Sequence, residues 1–434
     1  MKPLLCCMVL FYGLFLSACR KDTISVNSST IDANGGANEL QSTNAPFLFT
    51  SGNKTLHLVN GITGGIAFEY TKLLGHPALS ISGAPGIIND SIAIIPASNK
   101  MFCISYRDNA VIWETRFDET GEPGRGYKTS EICINAGTVF MAYADYQSPY
   151  GNTRHASKFF AVDIATGNIS WVIDLLQLGI DYDYFSNPTC TEETVFLPVR
   201  NKLFAFDTKT GTIKWTFITD TYANLSNPAY ADDKIFVASN ATGANSKDSV
   251  FALGLNSGLI LWRKEVLGLS VNPTPVIYKD RLYININSDM VPLVGGVLCM
   301  DASDGKDIWQ YTRPYQFPTA PGICPVFISD DMLFMSEIGH TNVYRLNIIT
   351  GEKVWSFPAT TIYSTNQDEG PVASGGLVYF RTTFSDMYAL NAADGSQVWK
   401  THINAGQVTN INTGPVLKDP SGTLLYSSES GMQQ

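Results

Sequence analysis

The sequence predicts an all-β chain folded as an eight-bladed β-propeller, with four-stranded blades and one blade shared by strands from the N- and C-terminal ends. Three observations support this prediction. A short phrase returns eight times, each period contains only strand-like runs, and the two ends of the chain supply complementary parts of one blade. A regular period of this length is typical of repeat architectures.

The repeated phrase is a hydrophobic run, an Asp or Asn, a Thr-Gly-like turn, and an aromatic residue four places after the turn position. It is complete in residues 159–171, 203–215, 297–309, 343–355 and 387–399, and degraded in 56–68, 101–113 and 250–262. Glycine suits the turn because it adopts positive φ at low cost, and the preceding Asp or Asn can accept the turn amides. The turn positions are Gly64, Asn109, Gly167, Gly211, Gly258, Gly305, Gly351 and Gly395, at intervals of 45, 58, 44, 47, 47, 46 and 44.

Each period reads as strands alone. Residues 185–215 illustrate this, with a predicted strand after 186–188 and further strands at 194–198, 202–207 and 212–217. The apolar residues alternate in short β-branched and aromatic runs closed by turn clusters, without helical spacing. About four strands in 44 to 47 residues is the content of one propeller blade.

The two ends of the chain are expected to complete one blade. Residues 413–417 and 424–427 read as two inner strands with nothing after them, and residues 56–70 read as a third and fourth strand without a first. Sharing a blade removes the free edges that an open ring would leave.

Residues 1–18 are predicted to be a lipoprotein signal peptide, 19–45 a lipidated Cys19 with a flexible tether, and 46–434 the propeller. Lys2 precedes an apolar stretch at 4–16, and the segment ending at Cys19 (Leu-Ser-Ala-Cys) resembles the bacterial lipobox. The tether is rich in Ser, Thr, Asn and Gly without a hydrophobic period. We therefore expect an outer-membrane lipoprotein of a Gram-negative bacterium, facing the periplasm or the cell surface.

Charge and cysteine content exclude several functions. The formal net charge is -10, so nucleic acid is not an expected partner. No spacing of Cys or His suggests a metal site, and no metal is predicted. The five cysteines beyond the leader and the anchor are interpreted as small buried apolar residues without a disulfide framework: Cys103, Cys133, Cys190, Cys299 and Cys324.

The repeated phrase resembles the repeat of the PQQ-like (pyrroloquinoline-quinone repeat) β-propeller superfamily. The resemblance covers residues 46–434 and is closest in plan to the BamB-type outer-membrane lipoproteins. It implies that the tryptophan at the end of each repeat packs between neighbouring blades, so that these residues form a structural girdle. Phe68 takes the eighth position. The seven tryptophans are Trp113, Trp171, Trp215, Trp262, Trp309, Trp355 and Trp399.

The same superfamily includes quinoprotein alcohol dehydrogenases, which hold the quinone against two adjacent, disulfide-linked cysteines beside a calcium ion. The adjacent cysteines of this sequence, Cys6 and Cys7, lie in the leader, and no interval exceeds 58 residues, so the insertions that roof the cofactor are missing. Neither a cofactor nor catalytic residues are therefore predicted.

The expected function is that of a non-catalytic, membrane-anchored interaction or scaffold propeller, with a BamB-like role in outer-membrane protein assembly as its specific form. The alternative is a surface lipoprotein that binds a glycan or another polymer, and a quinoprotein-type oxidoreductase is third. The expected partners are the membrane, through the lipid anchor, and an envelope protein or a glycan. The propeller itself is expected to be a monomer.

The binding surface is predicted on the face that carries the loops between second and third strands and the connections between blades. The 58-residue interval between Asn109 and Gly167 is longer than the others, and its extra residues are predicted to lie in the loop 143–158. Tyrosines offer large, stiff contact area with a polar tip. An alternative site is the mouth of the central channel near Asn187, Asn227, Asn272 and Asn412. The candidate residues of the face are Tyr143, Tyr146, Tyr150, Arg154, Tyr182, Tyr184, Phe185, Tyr315, Phe317 and Tyr363.

Overall fold

The computed structural model contains eight separate antiparallel sheets arranged as the eight blades of a propeller. Within the described residues, no helix is long and apolar enough to cross a bilayer. The structure describes residues 46–51, 55–71, 81, 83–89, 91–117, 125–147, 154–179, 185–219, 223–241, 248–266, 274–288, 294–314, 326–336, 342–358, 370–382, 386–403, 416–418 and 424–425.

Blades are numbered from the one that contains the first strand. Blade 1 contains β1 (Phe47–Ser51), β2 (Leu56–Asn60), β3 (Ile66–Tyr70), β34 (Val416–Lys418) and β35 (Leu424–Leu425). Blade 2 contains β4 (Gly86–Ile87), β5 (Ile92–Ala97), β6 (Lys100–Ser105) and β7 (Ala110–Arg116). Blade 3 contains β8 (Arg125–Thr129), β9 (Cys133–Asn135), β10 (Thr138–Gln147), β11 (Arg154–Asp163) and β12 (Ile169–Asp174), followed by a short 3₁₀ helix (Leu175–Leu178). Blade 4 contains β13 (Thr189–Cys190), β14 (Thr194–Val199), β15 (Lys202–Asp207) and β16 (Ile213–Ile218).

The remaining blades follow the same plan. Blade 5 contains β17 (Ala223–Leu225), β18 (Ala229–Ala231), β19 (Lys234–Ala241), β20 (Ser249–Gly254) and β21 (Ile260–Glu265). Blade 6 contains β22 (Val276–Tyr278), β23 (Arg281–Ser288), β24 (Val294–Asp301) and β25 (Asp307–Pro314). Blade 7 contains β26 (Phe327–Ser329), β27 (Met332–Ser336), β28 (Asn342–Asn347) and β29 (Lys353–Pro358). Blade 8 contains β30 (Val372–Ser374), β31 (Leu377–Arg381), β32 (Asp386–Asn391) and β33 (Gln397–His402).

The blade predicted from residues 185–215 is confirmed. Its four strands are β13 to β16, each within two residues of the predicted bounds, and they pair in chain order. The turn chemistry is also as predicted, because the Asp207 carboxylate accepts the amides of Lys209 and Thr210 at 3.1 and 2.9 Å. The repeated phrase therefore marks the hairpin between the third and fourth strands.

Blade 1 is shared by the two ends of the chain, but its strands are divided differently from the prediction. The sheet order is β3-β2-β1-β34-β35, so the N-terminal end supplies three strands and not two. The second-strand position, predicted for residues 424–427, belongs to β1, whose Phe47, Leu48 and Phe49 pair with β34. Three apolar residues with buried side chains make β1 the better partner for the core, and β35 becomes an additional strand.

The core lies between the blades. Buried apolar side chains form clusters that each span neighbouring sheets, such as Phe159 of blade 3 with Phe204 of blade 4. The fourth strands form the outer rim, where aliphatic residues such as Ile260 and Ile218 are exposed. Packing between blades, with no central core, is what requires a closed ring.

Seven tryptophans make the same contact with the next blade around the ring. Each indole Nε1 donates to the carbonyl oxygen three places before the turn glycine of the following blade, at 2.7 to 3.2 Å. Each ring also packs so closely on that glycine that a Cβ there would overlap it. The pairs are Trp113 with Gly167, Trp171 with Gly211, Trp215 with Gly258, Trp262 with Gly305, Trp309 with Gly351, Trp355 with Gly395, and Trp399 with Gly64.

The tryptophan position and the glycine position of the repeated phrase are each replaced once, in the consecutive blades 1 and 2. Phe68 of blade 1 replaces the tryptophan, and Asn109 of blade 2 replaces the glycine on which that tryptophan would pack. Asn109 keeps the left-handed backbone of the turn, with φ of 52°. Asparagine tolerates this left-handed conformation better than most residues that carry a Cβ.

The interpretation of the cysteines was wrong for one pair. Cys133 of β9 and Cys190 of β13 form a disulfide between the inner strands of blades 3 and 4, with the Cα atoms 6.4 Å apart. Cys103 and Cys299 are free and buried, as predicted, and Cys324 lies outside the described residues. The pairing could not be inferred from the sequence, because the two residues are 57 positions apart and meet only when the blades stand side by side.

The tryptophan contact predicts a difference between two glycines of blade 8. Gly395 and Gly376 both have positive φ, 75° and 79°, so Ala costs about 1 kcal/mol at either position. A Cβ at Gly395 would lie 2.7 Å from Cδ2 of Trp355, whereas at Gly376 it would meet nothing within 4 Å. Overlap with the indole should add about 1–3 kcal/mol. In urea unfolding, Gly395→Ala is expected to lose about 1–3 kcal/mol more stability than Gly376→Ala. Equal losses would show that the tryptophan does not restrict the glycine position.

Candidate interaction surface

Blade 3 rises above its neighbours on the face that carries the loops between second and third strands, called here the upper face. Strands β10 and β11 are ten residues long, whereas the corresponding strands of blade 4 have six. The lower half of β10 pairs with β9, and its upper half pairs with β8. The extra length of the 58-residue interval therefore continues the sheet, where a loop was expected.

Tyr143 does not belong to the predicted binding face, because the lengthened strand carries it into the core. Its side chain is fully buried between blades 2 and 3, with Met101, Phe117 and Phe160 in the same cluster. Its ring also stacks on Tyr127 of β8, with 6.1 Å between centroids. The placement of Tyr143 on the surface was wrong for this reason.

Phe185 is likewise a core residue and is withdrawn from the face. It is buried with Ala144 of blade 3 and Val199 of blade 4, and its backbone forms a bridge to Val199. The ammonium of Lys128 lies over its ring, 5.1 Å from the centroid. This cation–π contact joins the raised part of blade 3 to blade 4.

Two further candidates stand at the top of the raised hairpin. The backbones of Tyr146 and Arg154 are directly opposite each other, just after an irregularity between Asp145 and Tyr146. Their side chains are outside the described part of the structure. The other candidates also lie outside the described residues: Tyr150, Tyr182, Tyr184, Tyr315, Phe317 and Tyr363.

Two of the asparagines predicted near the channel mouth, Asn187 and Asn227, connect neighbouring blades. The Oδ1 atom of Asn187 accepts the amide of Glu131 at 2.8 Å, and Oδ1 of Asn227 accepts the amide of Asn187 at 2.7 Å. Asn227 then donates Nδ2 to Thr274 at 3.1 Å. The Glu131 carboxylate accepts the amide of Ala84 at 2.6 Å. These bonds form a belt across blades 2 to 6, so the two asparagines have a structural role. Asn272 and Asn412 lie outside the described residues.

A charged cluster at the upper end of blade 8 was missed by the sequence analysis. Asp386 accepts from Lys400 and from Nδ1 of His402, both at 2.8 Å. Partial burial raises the pKa of Asp386, but the hydrogen bonds from Lys400 and His402 outweigh it and lower the pKa below its usual value. The three residues meet because Asp386 begins β32 and His402 ends the adjacent β33. The signal available in the sequence was their position at the two ends of one hairpin.

The described residues do not fit the quinone site of the dehydrogenases. The disulfide joins two blades and is not formed by adjacent cysteines, and no three His, Cys, Asp or Glu side chains of the described part come together as metal ligands. Burial raises the pKa of the Cys103 and Cys299 thiols to about 11, so neither is a nucleophile at neutral pH. No catalytic step is derived from these groups.

The family comparison matches more than half of the chain. The family model described as "Outer membrane protein assembly factor BamB" covers residues 155–313 and 290–433. The matched segments contain the five complete copies of the repeated phrase. Among solved structures, BamB from Moraxella catarrhalis is similar with a TM-score of 0.55 and 16% identity, over 79% of this chain and 95% of that one.

Two other solved structures are similar in fold. The designed Ika8 protein matches with a TM-score of 0.54 and 11% identity, over 79% of this chain and 94% of that one. AztD from Citrobacter koseri matches with a TM-score of 0.52 and 12% identity, over 86% of this chain and 98% of that one. At these identities the likeness concerns the fold alone.

A curated relative is an enzyme. Tetrathionate hydrolase from Acidithiobacillus ferrooxidans is 22% identical in an alignment of 306 positions, which covers 65% of this chain and 55% of the relative. The chain thus spans about half the length of that protein.

Proposed function

This chain belongs to the family described as outer membrane protein assembly factor BamB, and from that premise we propose that it is a non-catalytic scaffold in outer-membrane protein assembly. The observation that carries the proposal is the family match across residues 155–433. The propeller supplies a ring of eight blades with a raised blade on its upper face, which is an arrangement suited to holding other proteins.

The disulfide supports a location outside the cytoplasm. Cys133 and Cys190 are oxidised to a cross-link between two blades, and such cross-links persist in oxidising compartments such as the periplasm or the cell surface. This argument is independent of the leader. With Cys19 as the lipidated N-terminus, the propeller would be held at the outer membrane by its acyl chains.

Deletion of the gene tests the proposed function directly. Loss of a scaffold should lower the amount of folded, heat-modifiable β-barrel proteins in the outer membrane at least twofold, and the wild-type gene should restore it. Other lipoproteins, measured in the same membranes, are the control. An unchanged content of folded barrels would contradict the assembly role.

Tetrathionate hydrolysis is the second candidate function, and the 22% identity to the hydrolase is the observation that favours it. Incubating the purified propeller with tetrathionate and following its loss separates the two functions. Turnover by the protein, together with unchanged barrel content in the deletion strain, would replace the scaffold proposal with an enzyme.

The lipid anchor makes a prediction of its own. Cys19→Ala removes the acylated residue, so the folded propeller should leave the membrane fraction and appear in the soluble fraction. Fractionation followed by a carbonate wash measures this, with the melting temperature of the variant as a control for folding. Retention of Cys19→Ala in washed membranes would show that the lipoprotein hypothesis is wrong.

The remaining tyrosines of the predicted face give the second prediction for function. Tyr146→Ala, Tyr182→Ala and Tyr184→Ala together should reduce co-purification of barrel proteins at least tenfold, about 1.4 kcal/mol, with little change in melting temperature. The matched control is Leu259→Ala with Ile349→Ala, two exposed residues of the opposite face. An equal effect of both sets, or no effect of the tyrosine set, would place the binding surface elsewhere.

A further inference from the structure

The turns between the third and fourth strands form the lower face of the ring, opposite the upper face. In five of the described turns, the residue two places after the Asp or Asn donates its backbone amide to that side chain, at 2.8 to 3.1 Å. This exposed residue is called here the tip residue. Since the same bond fixes the backbone in all five turns, the turn itself leaves the choice of side chain open. The tip residues of blades 1, 4, 6, 7 and 8 are Ile62, Lys209, Ser303, Ile349 and Ala393.

The apolar tip residues belong to three consecutive blades. Ile349 of blade 7, Ala393 of blade 8 and Ile62 of blade 1 follow one another around the ring, and these three residues are called here the apolar sector. The side chains of Ile62 and Ile349 are 55% and 67% exposed. The tryptophan girdle holds the turns of blades 8 and 1 against the preceding blades. The sector therefore presents apolar side chains to solvent from fixed positions, which is typical of a contact surface.

The turns of the sector also lack a charge that equivalent turns carry. In blades 4 and 6 the turn amides are accepted by the carboxylates of Asp207 and Asp301, which are ionised at neutral pH. In blades 1, 7 and 8 the acceptors are the neutral amides of Asn60, Asn347 and Asn391. Both side chains make the same bond, so the turn does not require the difference. The charges that remain in the turns of the sector are Asp394, Glu352 and Lys353.

The chain enters the ring beside this sector. Pro46 is the first described residue, and its carbonyl oxygen accepts the amide of Gly61 at 2.7 Å. Gly61 immediately precedes the tip residue Ile62. The predicted tether therefore joins the propeller at the lower face, next to the apolar sector. Acyl chains on Cys19 would keep this part of the ring near the bilayer, so that even a weak contact would be enough to orient the propeller.

We propose that the apolar sector lies on the phospholipid bilayer that holds the acyl chains of Cys19, with the side chains of Ile62 and Ile349 among the lipid headgroups. This inference rests on the lipid anchor proposed above and does not depend on the assembly role. Neutral turns suit such a contact, because apolar side chains are buried at the boundary between headgroups and acyl chains while charged groups stay in water. The contact turns the upper face, with the raised part of blade 3, away from the membrane and toward partners in the aqueous space.

Two other exposed aliphatic residues provide matched comparisons. Leu259 is 70% exposed in the turn of blade 5, on the same face but four blades away from blade 1. Ile218 is 60% exposed and ends β16 of blade 4, at the upper end of that strand. Both are as exposed as the residues of the sector, so a contact driven by exposure alone would include them. The proposal predicts that neither residue meets lipid.

Quenching by labelled lipids tests the proposal on the acylated full chain in phosphatidylcholine vesicles. Single variants Ile62→Cys, Ile349→Cys, Leu259→Cys and Ile218→Cys are labelled with a fluorophore, and the vesicles contain phosphatidylcholine with a nitroxide near the top of an acyl chain. All variants carry Cys324→Ala. The buried thiols of Cys103 and Cys299, whose pKa is raised to about 11, stay unlabelled. Quenching at positions 62 and 349 should exceed that at 259 and 218 at least about twofold.

A second measurement shows whether the isoleucines cause the contact. The fluorophore is placed at the middle of the sector, through Ala393→Cys, in a chain that also carries Ile62→Ser and Ile349→Ser. Quenching should fall at least about twofold, because the apolar side chains that enter the bilayer are gone. The matched control combines Ala393→Cys with Leu259→Ser and Ile218→Ser and should be quenched as strongly as Ala393→Cys alone. Melting temperatures confirm that each labelled chain is folded.

Each of three results would overturn the proposal. Equal quenching at positions 62 and 218 would show that the propeller has no preferred orientation, and equal quenching at 62 and 259 would show that the sector has no preference over the rest of the lower face. Quenching at position 393 that survives both serine substitutions would remove the role of the isoleucines. In all three cases the chain still floats with the vesicles, whereas a chain that does not float contradicts the lipid anchor itself. Co-purification of barrel proteins is measured in detergent and is independent of this contact.

Discussion

Truncation after Thr401 is expected to cost the propeller at least about 3 kcal/mol of stability and to make its unfolding less cooperative. The truncation removes β34, whose Val416 and Leu417 are buried in the clusters on the two sides of blade 1. Burying an aliphatic side chain contributes about 1.5–3 kcal/mol, so the two residues alone account for this figure. The edge of β1 is also left without its partner strand.

Two shorter changes serve as controls for the truncation. Ending the chain after Lys418 keeps β34 and, of the strands described, removes β35 alone, which pairs with β34 through two residues, so the loss should be much smaller. Deleting residues 20–44, the predicted tether, should change the melting temperature very little. Calorimetry of the three shortened chains measures the series. Equal stability of the Thr401 truncation and the tether deletion would show that the termini do not share a blade.

Reduction of the Cys133–Cys190 disulfide is expected to destabilise the ring by about 2–4 kcal/mol. The bond closes a loop across 57 positions, and a cross-link of this span limits the entropy of the unfolded chain by about that amount. It also holds the inner strands of blades 3 and 4 beside a second contact, in which Nδ2 of Asn135 donates to Thr191 and Glu192 at 2.8 and 3.0 Å.

Denaturant unfolding with and without a reductant measures the effect. The variant Cys133→Ala with Cys190→Ala should have the stability of the reduced protein and should not respond to the reductant. The matched control, Cys103→Ala with Cys299→Ala, removes two buried free thiols and should respond as the wild type does. Unfolding of the wild type that is insensitive to reductant would contradict the role given to the bond.

Blade number, strand content and turn positions followed from local chemistry. Asp207 specifies its hairpin because its carboxylate accepts hydrogen bonds from the turn amides, and Gly211 does so because it adopts a positive φ. These preferences act within a few residues, whatever surrounds them. Alternating apolar residues likewise specify a strand by themselves. Because the pattern is repeated eight times, the number of blades could be predicted even though three copies are degraded.

The candidate surface was less predictable, because burial depends on neighbours that are distant in sequence. Tyr143 and Phe185 are aromatic residues in segments that the sequence predicts to be loops of a binding face. In the structure, β10 continues through Tyr143, and residues of blade 4 bury Phe185. The positions of His57 and Arg381, 324 residues apart, gave no sign that they meet at the junction between blades 1 and 8.

The eight strand-only repeats and the positions of their turns were determined by interactions within single hairpins, and the amino-acid sequence was enough to find them. The sharing of a blade between the chain ends was also predictable, because each end contains strand patterns that do not fill a blade alone. The pairing of Cys133 with Cys190 and the choice of β1 as the second strand of blade 1 were decided by the closed ring. In a propeller the core lies between blades, so each of these contacts exists only after two separately formed sheets have packed against each other.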